Sequence, residues 1–288
     1  MASESEPNVW RSRLGRFGVW RSNRIADPSV APVLEGLGFG ALWMGGAPGD
    51  LRSAEAALEA TSTLVVATGI VNIWEDPPES VSAAFHRVSE AHPGRFLLGI
   101  GVGHPEQAGA GAARPFEALV RYLDVLDAEG VPAADRVIAA LGPRMLRLSG
   151  ERAAGAHPYL VTPGHTHDAR ALLGPGPLLA PEQRVVMLAD PDQARVIGRP
   201  TVQTPYLGFT NYRNNLLRLG YAERELDDGG SDRLIDDLVA SGDSATIAGR
   251  LGAHLDAGAD HIAVQLVGTP PRTDEYAELA AALGLAPR

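Results

Sequence analysis

The 288-residue chain reads as an α/β protein, a TIM-type (β/α)8 barrel, on three observations. Apolar, β-rich runs alternate with segments of helical period, eight such runs can be counted, and each is followed by helical text. Parallel strands need helical crossovers, and a set of eight closes naturally into a barrel. An open doubly wound sheet is the competing arrangement. Barrels of this length are commonly one domain, so residues 1–288 are expected to form one, with 1–14 a poorly ordered or extended lead-in.

The elements follow in order. Arg16 to Trp20 reads as the first strand, and Asp27 followed by Pro28 predicts a helix start running to about Gly36 or Gly38. Gly40 to Met44 is the second strand and Leu51 to Ala60 its helix. Thr63 to Asn72, nearly all apolar and β-branched, predicts a third strand buried on both faces. Pro77 and Pro78 close that loop, Glu79 to Ala91 is helical, Phe96 to Gly103 is strand four, and Pro115 to Ala128 is an amphipathic helix. The second half repeats the rhythm with strands at Arg136 to Leu141, His157 to Val161, Arg184 to Leu188 and His261 to Leu266. The helices between them are read at Pro143 to Ala153, Thr166 to Leu173, after Asp190, and at Asp243 to Ala257, with Thr273 to Leu283 last. From Arg199 to Tyr221 the text is aromatic and rich in Asn and Arg, and predicts irregular structure plus a helix.

Composition removes several chemistries. All 25 basic residues are arginine, so a Schiff-base aldolase, a pyridoxal-phosphate enzyme and a Walker-type phosphate loop lack the amine they need. Cys is absent, which excludes disulfides, thiolate metal sites and a cysteine nucleophile. A net charge of −10 without a basic run argues against nucleic acid as a partner. No stretch approaches the roughly 18 uninterrupted apolar residues of a membrane span, and Met1 to Pro7 is acidic, so a soluble, cytoplasmic protein is expected.

In a barrel of this type functional residues gather at the C-terminal ends of the strands. Those ends here are mostly apolar, small or aromatic, without a carboxylate or histidine cluster at metal-ligand spacing, so no metal is expected. Such a mouth suits a large flat organic cofactor. The most informative run is Arg95 to His104, where an apolar strand passes into Gly99, Gly101 and Gly103 and then a histidine. Glycine there allows something to approach the backbone closely, and an imidazole beside it suits proton transfer near neutral pH. A Rossmann reading of these glycines is discounted, because Pro105 and a Gly/Ala loop separate them from the next helix.

Several motifs together carry a family likeness: Ala67-Thr68-Gly69-Ile70 ending strand three, Pro93 to Gly103 at strand four, Ala140 to Met145 at strand five, Pro158 to Pro163 at strand six, and Asp256 to His261 before strand eight. With them the chain resembles, over nearly its whole length, the bacterial-luciferase-like (LLM-class) flavin and deazaflavin oxidoreductases, in particular the actinobacterial branch that uses coenzyme F420.

The resemblance implies an F420-dependent oxidoreductase that moves a hydride to or from a small organic substrate, and a homodimer. It implies a cis peptide at Gly69-Ile70 that backs the central ring. It places Trp43, Gly69, Ile70, Asn72, Gly101, Gly103, His104, Leu141, Gly142, Thr162 and His165 around the cofactor. Gly142-Pro143 also reads from its residues as a strand end meeting a helix start, where an anion is favoured, with Arg144 and Arg147 nearby. A lysine is common in the family where His165 stands. Trp20, Met44 and Trp74 are candidates for the substrate pocket. Some relatives carry an acid and a histidine at the end of strand two and a glutamate after the strand-four glycines; here stand Met44, Gly45 and His104. Their sugar-phosphate chemistry therefore does not transfer, and His104 is left as the candidate proton donor or acceptor.

Plainer readings stay open beside these. The strand-four glycines can simply allow close packing, Trp20 and Trp43 can be core, Trp74 to Asp76 can be solvated loop, and Thr162 and His165 can merely start a helix. Two other functions also stay open. One is an FMN-dependent monooxygenase of the same fold; the other is a non-catalytic deazaflavin-binding protein.

Overall fold

The structure, a computed structural model, describes residues 8–23, 29–103, 114–268 and 273–287. It is a TIM-type barrel in which every strand ladder is parallel. In chain order the first half runs α1 Val9–Leu14, β1 Phe17–Ser22, α2 Val30–Gly36, β2 Ala41–Gly45, α3 Arg52–Glu59, β3 Val65–Thr68, β4 Val71–Asn72, α4 Pro78–Ala91, β5 Phe96–Gly101 and α5 Pro115–Ala128. The second half runs β6 Arg136–Ile138, α6 Pro143–Arg152, β7 Gly155–Ala156, α7 Pro163–Leu173, β8 Leu178–Leu179, β9 Glu182–Val186, α8 Pro191–Gln203, α9 Thr210–Arg218, α10 Asp232–Leu238, β10 Val239–Ser241, α11 Ser244–Asp256, β11 Ile262–Leu266 and α12 Thr273–Ala282.

The neighbour order β10-β9-β11-β1-β2-β3-β5-β6-β7-β8 becomes a ring because β8 and β9 belong to one run of chain. On one edge of that run Leu178 and Ala180 donate to the carbonyls of Ala154 and Ala156 at 2.8 and 3.0 Å. On its other edge the Pro181 and Val185 carbonyls accept from Ala263 and Val267 at 3.0 and 2.9 Å. Alternation then sorts the side chains. Ala41 and Trp43 of β2 point into the barrel with Val65, Ala67, Leu97 and Val137, while Leu42 and Met44 face the helix shell.

Four expectations need correction. Residues 8–14 are not a loose lead-in: Asn8 caps α1, and Trp10 and Leu14 are buried against the strand starts, with Trp10 Nε1 donating to the Ala134 carbonyl at 2.6 Å. The third strand is interrupted, with a cis peptide at Gly69-Ile70 as the resemblance implied. The sixth strand begins two residues earlier than expected, at Gly155, and ends at Ala156, before the chain turns at Leu160 with φ 55°. The seventh begins at Leu178 rather than Arg184, and β10 is an added strand outside the eight.

The strand-four glycines turn out to serve the protein's own packing. A Cβ on Gly99 would overlap the Thr68 carbonyl oxygen, and the Thr68 hydroxyl bonds both the Gly99 carbonyl and its N–H at 2.8 Å. A Cβ on Gly101 would meet Ala139 Cβ at 2.9 Å and Ile70 Cγ1 at 3.2 Å. A Cβ on Gly103, which sits at φ 54°, would meet Asn72 Nδ2 at 3.0 Å. Glycines 99, 101 and 103 thus receive residues 68, 70 and 72 of the interrupted strand.

Gly99→Ala should therefore lower stability by about 1–3 kcal/mol, the usual cost of overpacking. Gly249→Ala in α11, where a Cβ meets nothing within 4 Å, should instead gain about 1 kcal/mol. Urea midpoints of the two variants, read against the parent, test the contrast.

Candidate functional site

A cavity of about 590 Å³ opens at the C-terminal ends of the barrel strands, within the size range of small-molecule sites. Seven of the expected site residues line it: Trp20, Gly69, Ile70, Asn72, Gly103, Leu141 and Gly142. They come from the ends of β1, the β3/β4 break, β5 and the segment between β6 and α6.

The others stand behind it or elsewhere, for identifiable reasons. Trp43 is fully buried one layer below, stacked on His157 with ring centroids 4.1 Å apart, and donates from Nε1 to His261 Nε2 at 3.0 Å. Met44 points into the helix shell, as its place one residue after an inward Trp requires. Gly101 is covered by Ile70. Trp74 is tied to the Val102 carbonyl at 2.7 Å and is not among the lining residues. Thr162 caps α7 by accepting from the His165 N–H at 3.3 Å. His165 is buried and its Nε2 meets the Leu141 carbonyl at 2.9 Å, so it supports a lining residue rather than facing a ligand. His104 lies outside the described residues.

The cavity also brings in residues that sequence reasoning missed. Tyr159, Tyr206 and Tyr212 form an aromatic wall, with Tyr206 centroids 5.5 Å from Tyr159 and 5.0 Å from Tyr212. Trp20 continues this wall at 5.2 Å from Tyr159, and its ring lies on Gly45, where any Cβ would overlap it. The residue type at position 45 therefore follows from the tryptophan that fills its side-chain space. His157, read as a strand start, in fact follows β7 and lines the cavity. The signal available for Tyr206 and Tyr212 was the aromatic density between Arg199 and Tyr221, which carries no periodicity to place it.

The ionisable groups here are shaped mainly by burial. Burial holds the His157 imidazole near pKa 4, and Nδ1 donates to the Ala180 carbonyl at 2.7 Å. Burial likewise raises the Tyr159 phenol well above its ordinary value, although Arg184 pulls the other way and donates to its oxygen at 3.0 Å. That oxygen in turn donates to Gln265 Oε1 at 2.9 Å. Glu182, fully buried, is pushed up to about 7 by desolvation against the pull of Arg184, 4.0 Å away. At the opposite rim burial raises the Asp76 carboxyl; the Gly49 N–H opposes this, and Glu75 and Asp50 reinforce it.

Gly142 is the N-cap of α6 and lies open, with Arg218 Nη2 the nearest group at 3.8 Å from where its Cβ would be. Arg144, the expected cation, is instead placed over the Phe116 ring at 3.5 Å and paired with Glu117. Among the described residues no group of three or more potential metal ligands occurs, and no helix is long and apolar enough to cross a membrane.

Comparison with solved structures shows the same fold. An F420-dependent secondary alcohol dehydrogenase, in complex with an F420-acetone adduct, superposes with a TM-score of 0.68 at 14% identity, covering 93% of this chain and 98% of that one. The coenzyme F420-dependent tetrahydromethanopterin reductase of Methanopyrus kandleri gives 0.63 at 19%, covering 92% and 96%. The oxygenating constituent of 3,6-diketocamphane monooxygenase from Pseudomonas putida, in complex with FMN, gives 0.65 at 14%, covering 94% and 96%. The barrel is thus of the bacterial-luciferase-like type. No protein-family model matches the chain, and no curated protein matches it by sequence.

Three buried histidines, 157, 254 and 261, have folded pKa values near 4 against 6.5 when free, each lowered by burial. A depressed histidine pKa contributes stability that is complete above 6.5 and is lost as pH falls through 4. The urea midpoint should therefore drop steeply between pH 6.5 and pH 4, on the order of 3 kcal/mol for each imidazole at the lower limit. His261→Gln should shallow that slope; an unchanged slope would show that this imidazole does not titrate with folding.

Proposed function

We propose that this chain is a luciferase-like oxidoreductase that holds coenzyme F420 in the upper opening of its barrel and moves a hydride between it and a small organic substrate. The observation that carries this reading is the position and make-up of the cavity. It lies at the strand ends, with the Gly69-Ile70 break on one side, an aromatic wall on the other, and unpartnered polar atoms of Trp20 and His157 in its lining. A flat heterocycle fits such a slot, because aromatic faces cover its plane and a few polar groups orient its edge. The open N-cap at Gly142 with Arg218 beside it suits the anionic tail of either cofactor.

When bound, the deazaflavin supplies the hydride chemistry, and the protein supplies position, exclusion of water and proton control. Trp20, Tyr159 and Tyr206 wall the slot, and Ile70 presses into it from the interrupted strand. Tyr159, held protonated by burial, donates to Gln265 and stays un-ionised at neutral pH. His104 remains the proposed group for the substrate proton, with the raised Asp76 carboxyl at the rim as a second proton holder. A homodimer in the cytoplasm belongs to the same proposal. FMN is the second reading, favoured by the likeness to the FMN-bound monooxygenase.

Titration of the purified protein with F420 and with FMN, followed by fluorescence quenching, should show tight deazaflavin binding; tight FMN binding with no response to F420 would select the monooxygenase reading. Binding of F420 with no turnover on enones, imines and aldehydes would select a cofactor-binding protein. Gly69→Leu should abolish ring binding while leaving the fold intact by circular dichroism, and normal binding would place the ring elsewhere. His104→Ala should keep cofactor affinity and lower turnover by about 10²–10⁴-fold, the usual worth of general acid–base catalysis.

A further inference from the structure

Two buried nitrogens in the cavity lining have no partner among the described residues: Trp20 Nε1 and His157 Nε2. They flank the same glycine. A Cβ built on Gly69 would lie 2.8 Å from the first and 3.2 Å from the second, so both nitrogens abut the same bare stretch of backbone in the cavity lining. An unpaired polar group in a buried site is costly, which makes this pair a demand for a ligand rather than packing.

Their chemistry is complementary and fixed. An indole Nε1 is a donor only. His157 is 1% exposed, and its Nδ1 sits 2.7 Å from the Ala180 carbonyl, which accepts; the neutral ring therefore keeps a bare lone pair on Nε2. The ring cannot turn to change this, because it is stacked on Trp43 at 4.1 Å with an interplanar angle of 14°. Trp43 is held in its turn by His261, which is bonded to the Gly15 carbonyl at 2.8 Å. One rigid donor and one rigid acceptor side by side match a ligand edge that offers a carbonyl oxygen and an N–H on adjacent atoms.

We infer that Trp20 and His157 read the cyclic imide edge of the bound tricyclic ring, Trp20 donating to a ring carbonyl and His157 Nε2 accepting from the adjacent ring N–H. The inference rests on the reading above that a flavin-type ring occupies this cavity. It does not depend on which cofactor is used, because deazaflavin and flavin carry the same pyrimidinedione edge. It assigns two residues on β1 and after β7, far apart in sequence, to one recognition task. Position 69 must lack a side chain for this pair to sit where it does, because a Cβ there would lie only 2.8 Å from Trp20 Nε1.

The test uses the bare rings lumiflavin and 3-methyllumiflavin, the second lacking the imide N–H, with the full-length protein. The parent should bind lumiflavin about tenfold more tightly than its N-methyl derivative, the discrimination expected for one buried hydrogen bond. In His157→Phe, which keeps a flat ring on Trp43, that discrimination should disappear. Trp20→Phe should weaken both ligands about five- to tenfold and leave their ratio unchanged. Because His157→Phe can fail to fold, the 15N resonance of His157 Nε2 in the parent gives a second readout: it should move with lumiflavin and stay with the methylated ring. Equal affinity for both rings, or discrimination that survives in a folded His157→Phe, overturns the inference while leaving a ring-binding protein. Binding of neither ring, nor of F420 or FMN, removes the functional reading as well.

Discussion

The site depends on an interruption in one strand being received by glycines in the next. Thr68, Ile70 and Asn72 step along the break between β3 and β4, and Gly99, Gly101 and Gly103 give way to each in turn. Without that alternation the chain could not leave the β3 ladder at Gly69 and rejoin β5 at Val71 while keeping backbone hydrogen bonds on both sides. The consequence is functional. Gly69, Ile70 and Asn72 are brought to the cavity, while Gly101 is hidden beneath Ile70. The glycine run that looks like a ligand cradle is thus a socket for the neighbouring strand, and of its three glycines Gly103 alone lines the cavity, beside Gly69, Ile70 and Asn72 of the segment seated in it.

Below the cavity the barrel interior is polar in an ordered way. His157, Trp43 and His261 form a column from the cavity lining down to the carbonyl of Gly15, with His157 bonded to the Ala180 carbonyl, Trp43 donating to His261 Nε2, and His261 Nδ1 bonded to the Gly15 carbonyl, which fixes the tautomer or orientation of each. All are buried, and the imidazoles stay neutral because no acid is placed beside them to offset desolvation. Such a floor offers directional hydrogen bonding without charge. That suits a neutral ring edge and would repel neither a flavin nor a deazaflavin.

Legibility in the sequence followed the strength of local signals. Helix α5 is found at Pro115–Ala128 as expected, because proline at its first position and a sustained amphipathic period both mark it. The eight-strand count held for the same reason, since buried parallel strands read as apolar runs. What failed were strands of two or three residues, β7, β8 and β10, whose ladders are extended by neighbouring backbone and leave little pattern. A shift of two residues there was enough to misplace His157 from strand base to cavity. Trp43 and Met44 were assigned to the mouth from their position at a strand end, but depth and alternation send one below the cavity and the other outward. The tyrosine wall was invisible because Tyr159 stands just before Leu160, a residue with positive φ, and Tyr206 and Tyr212 lie on a single tight turn and a short helix whose text carries little period.

The wall opposite the strand break owes its order to Arg184. Its guanidinium is buried between the faces of Tyr159 and Tyr206, at 5.3 and 4.8 Å from their centroids, donates to the Tyr159 oxygen, and bonds the Thr201 carbonyl. Through Tyr159 it reaches Gln265, so β9, the turn after β7, α8 and β11 are joined at one point. Burying a cation is expensive, and here two aromatic faces, a phenol, a carbonyl and the nearby Glu182 offset that cost in part, while Arg184 Nε has no hydrogen-bond partner among the described residues. The Trp20 ring, tilted against Tyr159 and seated on Gly45, is held by the same arrangement. The indole donor packed against Gly69 is therefore positioned by a charge that does not line the cavity, which places the rigidity of the site in the network behind its wall.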